Sequence, residues 1–233
     1  MTRVKVCGVT SREDLRVAVE TGADAVGLLV DVPVDSPREI TPAQANRLAA
    51  ATPPFVTAVL VTMAETPESV VGITETVGPD AVQVHGDLGT GDLAYLTANV
   101  EAQVLKTVGA ADPVQAHRYD DVADALLVDS VDDDGAGGTG RVHDWAETAE
   151  VAADLDSPVV LAGGLTPENV GEAVRAVDPF AVDVASGVER EGVERDQAER
   201  ESGDRASDEN RKDPDAVAEF VENAKRAHST PTL

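Results

Sequence analysis

Cys7 is the only thiol in the chain, and it closes the short run Arg3–Cys7 just before a glycine. A thiol serves as base or nucleophile only when its pKa is lowered and it stays reachable. Otherwise it packs as a small buried hydrophobe. Asp129 ends the apolar run Ala125-Leu-Leu-Val. A carboxyl at an apolar wall keeps its proton to higher pH and can act as a general acid; it can equally cap the next loop. Two glycine-bearing turns, Ala162-Gly163-Gly164-Leu165-Thr166-Pro167 and Ala185-Ser186-Gly187-Val188, offer backbone N–H groups of the kind that cradle phosphate. Gly137-Gly138-Thr139-Gly140 is a further flexible loop, a candidate lid or phosphate contact. Arg38 lies between Asp35 and Glu39. It can clamp a carboxylate through two parallel hydrogen bonds, or simply balance its acidic neighbours, which position alone favours. His85, in Val84-His85-Gly86, reads as a hydrogen-bonded structural histidine with a supporting role. No His or Cys clusters around it, so no metal site is expected.

These groups need a scaffold that brings distant residues together. Strand-like runs occur at Arg3–Cys7, Ala25–Val30, Val56–Val61, Ala81–Val84, Gln103–Thr107, Ala125–Asp129, Val159–Ala162 and Ala181–Ala185. Most are near-continuous Val, Leu and Ala, as expected of strands covered on both faces. Helical patterns separate them. Thr41-Pro42, Thr66-Pro67 and Thr166-Pro167 each read as an N-cap followed by a first-turn proline. Ser11 opens another helix, and Asp92–Ala98, Pro113–Tyr119, His143–Leu155 and Asp213–Ala227 complete the set. Strict alternation of this kind means right-handed crossovers and a parallel sheet. Residues 1–233 therefore read as a single (β/α)8 barrel, a fold of about 250 residues. An open doubly wound sheet is the competing arrangement, but no turn reads Gly-x-Gly-x-x-Gly. In a barrel the site forms where strands end. Cys7 and Asp129 would then face each other as base and acid, with the two glycine turns beside them.

Composition narrows the partners. Acidic residues number 44 against 18 basic, a net charge of −26, which argues against a nucleic-acid ligand. No apolar run reaches the roughly 20 residues of a membrane span, and the N-terminus lacks the apolar core of a signal peptide. One cysteine gives no internal disulfide, so a cytoplasmic protein is expected. Scarce lysine, few aromatics and dispersed acidic groups resemble adaptation to molar salt, where self-repulsion is screened. Glu189–Lys212 is rich in charge and has one branched apolar residue, Val193. It is expected to be a mobile acidic insertion after the eighth strand.

The same residues carry a resemblance. Lys5-Val-Cys-Gly-Val-Thr10, Ser36-Pro-Arg38, Val82-Gln-Val-His-Gly86, Leu127-Val-Asp129 with Gly137-Gly-Thr-Gly140, Leu161-Ala-Gly-Gly-Leu-Thr-Pro-Glu-Asn169, Val182-Asp-Val-Ala-Ser-Gly-Val-Glu189 and Lys212-Asp213 follow one another in the order of the phosphoribosylanthranilate isomerase family. That family comprises (β/α)8 barrels of tryptophan biosynthesis. The resemblance implies an Amadori rearrangement with Cys7 as general base and Asp129 as general acid. It also implies that Arg38 holds the anthranilate carboxylate, reversing the positional reading, and that Gly163, Gly164, Ser186 and Gly187 bind phosphate. His85, Gly138 and Gly140 would support the site. No metal or organic cofactor is implied, because only protons move. The partner would be a phosphorylated small molecule, and the enzyme a monomer or homodimer. The chain departs from the family at Gly27-Leu-Leu-Val30, where the family often has Gly-Phe-x-Phe, and in the length of its acidic insertion. Two other readings compete: a different phosphate-binding barrel enzyme, and a barrel that only binds a phosphorylated ligand or a protein.

Overall fold

A computed structural model describes residues 1–33, 36–110, 112–129, 145–190 and 211–227. The strands are β1 (Arg3–Cys7), β2 (Ala25–Leu29), β3 (Thr57–Thr62), β4 (Ala81–Val84), β5 (Gln103–Gly109), β6 (Ala125–Asp129), β7 (Val159–Ala162) and β8 (Ala181–Val184). The helices are α1 (Arg12–Glu20), α2 (Pro42–Ala49), α3 (Pro67–Val77), α4 (Thr90–Asn99), α5 (Pro113–Asp120), α6 (Trp145–Ala153), α7 (Val170–Val177) and α8 (Pro214–Arg226). Each strand pairs in parallel with the next, and β8 pairs with β1, closing an eight-stranded barrel. The expected (β/α)8 architecture is the observed one.

Strand residues alternate between two buried environments, as the period of two requires. Val4, Val6, Val26, Leu28, Leu60, Val82 and Val104 join the core between the sheet and the helices. Cys7, Val59, Val61 and Ala81 form a separate cluster, and Leu127, Val160, Ala162 and Ala181 another, on the alternate, inward positions. Continuous apolar strands are thus explained by burial on both faces.

Register is held by a repeated device at the strand N-termini. Asp24, just before β2, accepts the Val4 N–H at 2.9 Å. Asp80, before β4, accepts Ala58 N–H at 2.8 Å, and Asp124, before β6, accepts Val104 N–H at 2.7 Å. Each carboxylate thus pairs a backbone donor on the preceding strand that would otherwise lack a partner.

Ser11, Thr41, Thr66, Asp112 and Asp213 cap their helices through side-chain oxygens, with proline in the first turn of α2, α3, α5 and α8. The expectation for Thr166-Pro167 is corrected. The Thr166 N–H donates to Asn169 Oδ1 at 2.8 Å, tightening a turn, and α7 begins only at Val170. The His143 start expected for α6 lies outside the described residues.

The expected mobile stretch Glu189–Lys212 is also corrected at its ends. Arg190 N–H donates to Arg211 O and Asp213 N–H to Val188 O, each at 2.9 Å, so the two ends run together as a short antiparallel bridge. Lys212 is buried. Low apolar content pointed to disorder there; paired charges order these four residues instead. Residues 191–210 lie outside the described part.

Candidate active site

The two inward residues of β1 are Lys5 and Cys7, both buried. Gly27 on β2 lies opposite Cys7 in the ladder. A Cβ at Gly27 would come within 2.6 Å of Cys7 Sγ, so the glycine makes room for the sulfur. Burial pushes the thiol above its usual pKa; the charge of the Lys5 ammonium pulls the other way. Asp183 of β8 sits across the β1–β8 ladder from Lys5 and accepts its Nζ–H at 2.9 Å. Burial disfavours charge on Lys5, yet Asp183 and Cys7 hold it above its ordinary pKa.

Asp129 ends β6 at the same end of the barrel. Burial pushes its pKa up to about 6, Asp183 adds to the rise and Lys5 opposes it. Its Oδ1 is buried with no hydrogen-bond partner among the described residues. Such an orphan oxygen is costly in a closed core and is useful where a ligand or proton completes it. Cys7 and Asp129 thus share one electrostatic neighbourhood, each facing the Lys5–Asp183 pair.

Arg38 follows β2. Its Nε and Nη2 donate to the two carboxylate oxygens of Glu189 at 2.7 and 2.8 Å. Fully buried Lys212 holds the same carboxylate at 2.9 Å and the Ala185 carbonyl at 3.0 Å. Glu189, and not the adjacent Glu39, is thus the described partner of Arg38. Asp35 lies outside the described residues, and Glu39 accepts the Val32 N–H instead. Both bonds use the Nε–Nη2 edge, leaving Nη1 clear of Glu189. The stem of Arg38 crosses Gly8, whose φ is +77° and whose added Cβ would fall 2.6 Å from Arg38 Cδ. Arg38 is thereby laid beside the end of β1.

Gly163 and Gly164 take left-handed φ values of +91° and +61° after β7. Ser186–Val188 forms a single 3-10 turn after β8. A Cβ at Gly187 would lie 2.1 Å from the Leu165 carbonyl oxygen, so the two glycine turns press directly together. His85 follows β4; burial, then Lys106 and Lys5, lower its pKa and keep it neutral. No described residue hydrogen-bonds its ring, and Asp183 alone opposes the two lysines. Gly138 and Gly140 lie outside the described residues.

Several site residues carried no assignment from sequence. Lys5 and Asp183 are charged residues at inward positions of apolar strands, a parity signal that was available two residues from Cys7 and Ala185. Buried Gln83 donates to Thr107 Oγ1 at 3.2 Å, and its own Oε1 has no partner among the described residues. Glu189 and Lys212 bound the charged insertion in the sequence, which hides how they meet Arg38.

The chain matches the family model described as N-(5'phosphoribosyl)anthranilate (PRA) isomerase over residues 4–199. It is 62% identical over 236 residues to the N-(5'-phosphoribosyl)anthranilate isomerase of Halobacterium salinarum, covering 100% of both chains. The crystal structure of phosphoribosyl anthranilate isomerase from Thermotoga maritima superposes with a TM-score of 0.80 at 35% identity, over 97% of this chain and 99% of that one. A crystal structure of a phosphoribosyl anthranilate isomerase in complex with reduced 1-(o-carboxyphenylamino)-1-deoxyribulose 5-phosphate superposes with a TM-score of 0.77 at 34% identity, over 97% of this chain and 99% of that one. With its closed eight-stranded barrel and these matches, the chain belongs to the N-(5'-phosphoribosyl)anthranilate isomerase family.

Proposed function

We infer that the chain catalyses the family's step in tryptophan biosynthesis, the Amadori rearrangement of N-(5-phosphoribosyl)anthranilate to 1-(2-carboxyphenylamino)-1-deoxyribulose 5-phosphate. The observation that carries the mechanism is Asp129, a buried carboxyl with an oxygen that no described residue partners and a pKa of about 6, in the same charge field as the only thiol. Asp129 protonates the furanose ring oxygen as the C1′–O bond breaks, leaving a protonated Schiff base. The Cys7 thiolate then removes the C2′ proton, and the electron pair moves to the iminium nitrogen to give an enolamine. The enolamine tautomerises to the ketone, its enol proton leaving oxygen while C1′ gains one. The proton taken by Cys7 returns through solvent to Asp129. No atom or electron is gained or lost overall.

Arg38 offers its Nη1 side to the anthranilate carboxylate. Gly163, Gly164, Ser186 and Gly187 supply N–H groups to the phosphate, and the contact of the two glycine turns supports that role. The remaining acceptor of Gln83 suits a substrate hydroxyl. We assign residues 1–233 to one domain with the acidic insertion between β8 and α8, acting in the cytoplasm on a small phosphorylated substrate, as a monomer or homodimer.

Cys7→Ala and Asp129→Asn test the assignment. Each is expected to lower turnover by 100-fold or more, of the order that general acid–base groups contribute. Binding of a reduced product analogue should remain. Near-normal turnover in either folded variant would exclude that residue from the chemistry.

A further inference from the structure

The inward face of the barrel is mostly Val, Leu and Ala, with one complete ion pair set into it, Lys5–Asp183. Burying two charges rarely stabilises a fold better than apolar side chains of similar volume. The pair's position suggests what it does. Lys5 neighbours Cys7 on the same face of the same strand, and Asp183 joins it from β8. The thiol sits in an apolar cluster with Val59, Val61 and Ala81, where a sulfur anion is poorly stabilised.

We infer that Lys5, anchored by Asp183, is a positioning residue of the isomerisation whose ammonium holds the negative charge on the Cys7 sulfur. The proposal rests on Cys7 being the general base. Four charged groups face Cys7: Lys5 on β1, Asp183 on β8, Lys212 ahead of α8, and Arg38 after β2. Arg38 and Lys212 are both engaged by Glu189. Of the four, Lys5 alone shares a strand face with Cys7, two residues away on β1. Asp129, in turn, faces Asp183 and Lys5. Lys5 is the foremost charge acting on the thiol, whereas on Asp129 it ranks behind Asp183. Losing it therefore separates the two proton affinities further, and a thiolate beside a protonated carboxyl becomes rarer.

The test uses the full-length protein, in which any thiolate signal belongs to Cys7, with Cys7→Ser as the blank. Ultraviolet thiolate absorbance and the pH dependence of alkylation give the thiol midpoint, and kcat is measured across the same pH range. In Lys5→Gln the midpoint is expected to move to higher pH, with kcat at neutral pH falling tenfold for each unit that the two midpoints separate. Lys5→Arg should restore both. Should Lys5→Gln fail to fold, the paired Lys5→Met, Asp183→Leu variant removes both charges without stranding either, and the midpoint should still rise, by less. An unmoved thiol midpoint in a folded variant overturns the proposal and leaves Cys7 as base intact. A moved midpoint with unchanged kcat overturns Cys7 as base, and Lys5's part in catalysis with it.

Discussion

Asp129 and Cys7 hold their protons in the reverse of the order that their roles suggest. The proposed acid has a pKa of about 6, while the proposed base is a thiol raised by burial. The working state, a protonated carboxyl beside a thiolate, is therefore the minor arrangement of a singly protonated pair. Its share stays constant between the two pKa values and falls outside them. Turnover is expected to be flat above pH 6, to fall tenfold per unit below about pH 6 as the thiolate is lost from the pair, and to fall again at alkaline pH as Asp129's last share of proton goes. The alkaline limb is the decisive one. It belongs to Cys7 in titration although it reports the proton missing from Asp129. A kcat profile with no alkaline limb up to the thiol midpoint would sink this description.

At the scale of elements, two devices set where the site residues stand. The first is the aspartate ahead of β2, β4 and β6. Asp80→Ala strands the Ala58 N–H at the end of the barrel opposite the site, and is expected to cost about 1–3 kcal/mol. A lower urea midpoint at unchanged slope, with KM unaltered, is the expected signature. No shift in midpoint would mean that solvent already serves that amide. The second device is the Arg38–Glu189–Lys212 chain. Displacing Glu189 would leave buried Lys212 without its carboxylate, so in the proposed role of Arg38, Glu189 stays in place and orients it for an incoming carboxylate. Glu189→Gln is expected to raise KM about tenfold, a change of about 1.4 kcal/mol, with kcat much less affected. A lower KM would instead identify Glu189 as a competitor for Arg38.

For the whole molecule, the net charge of −26 confronts a substrate that carries a phosphate and a carboxylate. Long-range repulsion slows that encounter and strains the compact state at low ionic strength. At 1 M salt the screening length falls to about 3 Å, and contacts inside the site survive while the repulsion between exposed charges does not. Both thermal midpoint and kcat/KM are expected to rise with KCl toward molar concentrations. An activity maximum at low ionic strength would contradict this reading. The match to a Halobacterium salinarum relative across the full chain accords with a protein adapted to salt.

The alternation of strands and helices was legible in the sequence because each strand is buried on two faces and each helix on one. Those burial patterns write different periods into the chain. The strand ends followed, and with them Cys7, Asp129 and the glycine turns, since a barrel places its chemistry at one end. Partnerships across the barrel were not legible, because nothing local links Lys5 to Asp183 or Arg38 to Glu189, residues 178 and 151 positions apart. Composition also misread Glu189 and Lys212: charged residues look solvated in a sequence, and only the closed fold shows that each has a buried partner. The sequence by itself determined which groups could do the chemistry and at which strand ends they stand. The tertiary structure alone decided which charges meet, and so which proton each group keeps, because Coulomb forces in a low-dielectric interior depend on distance in space and not along the chain.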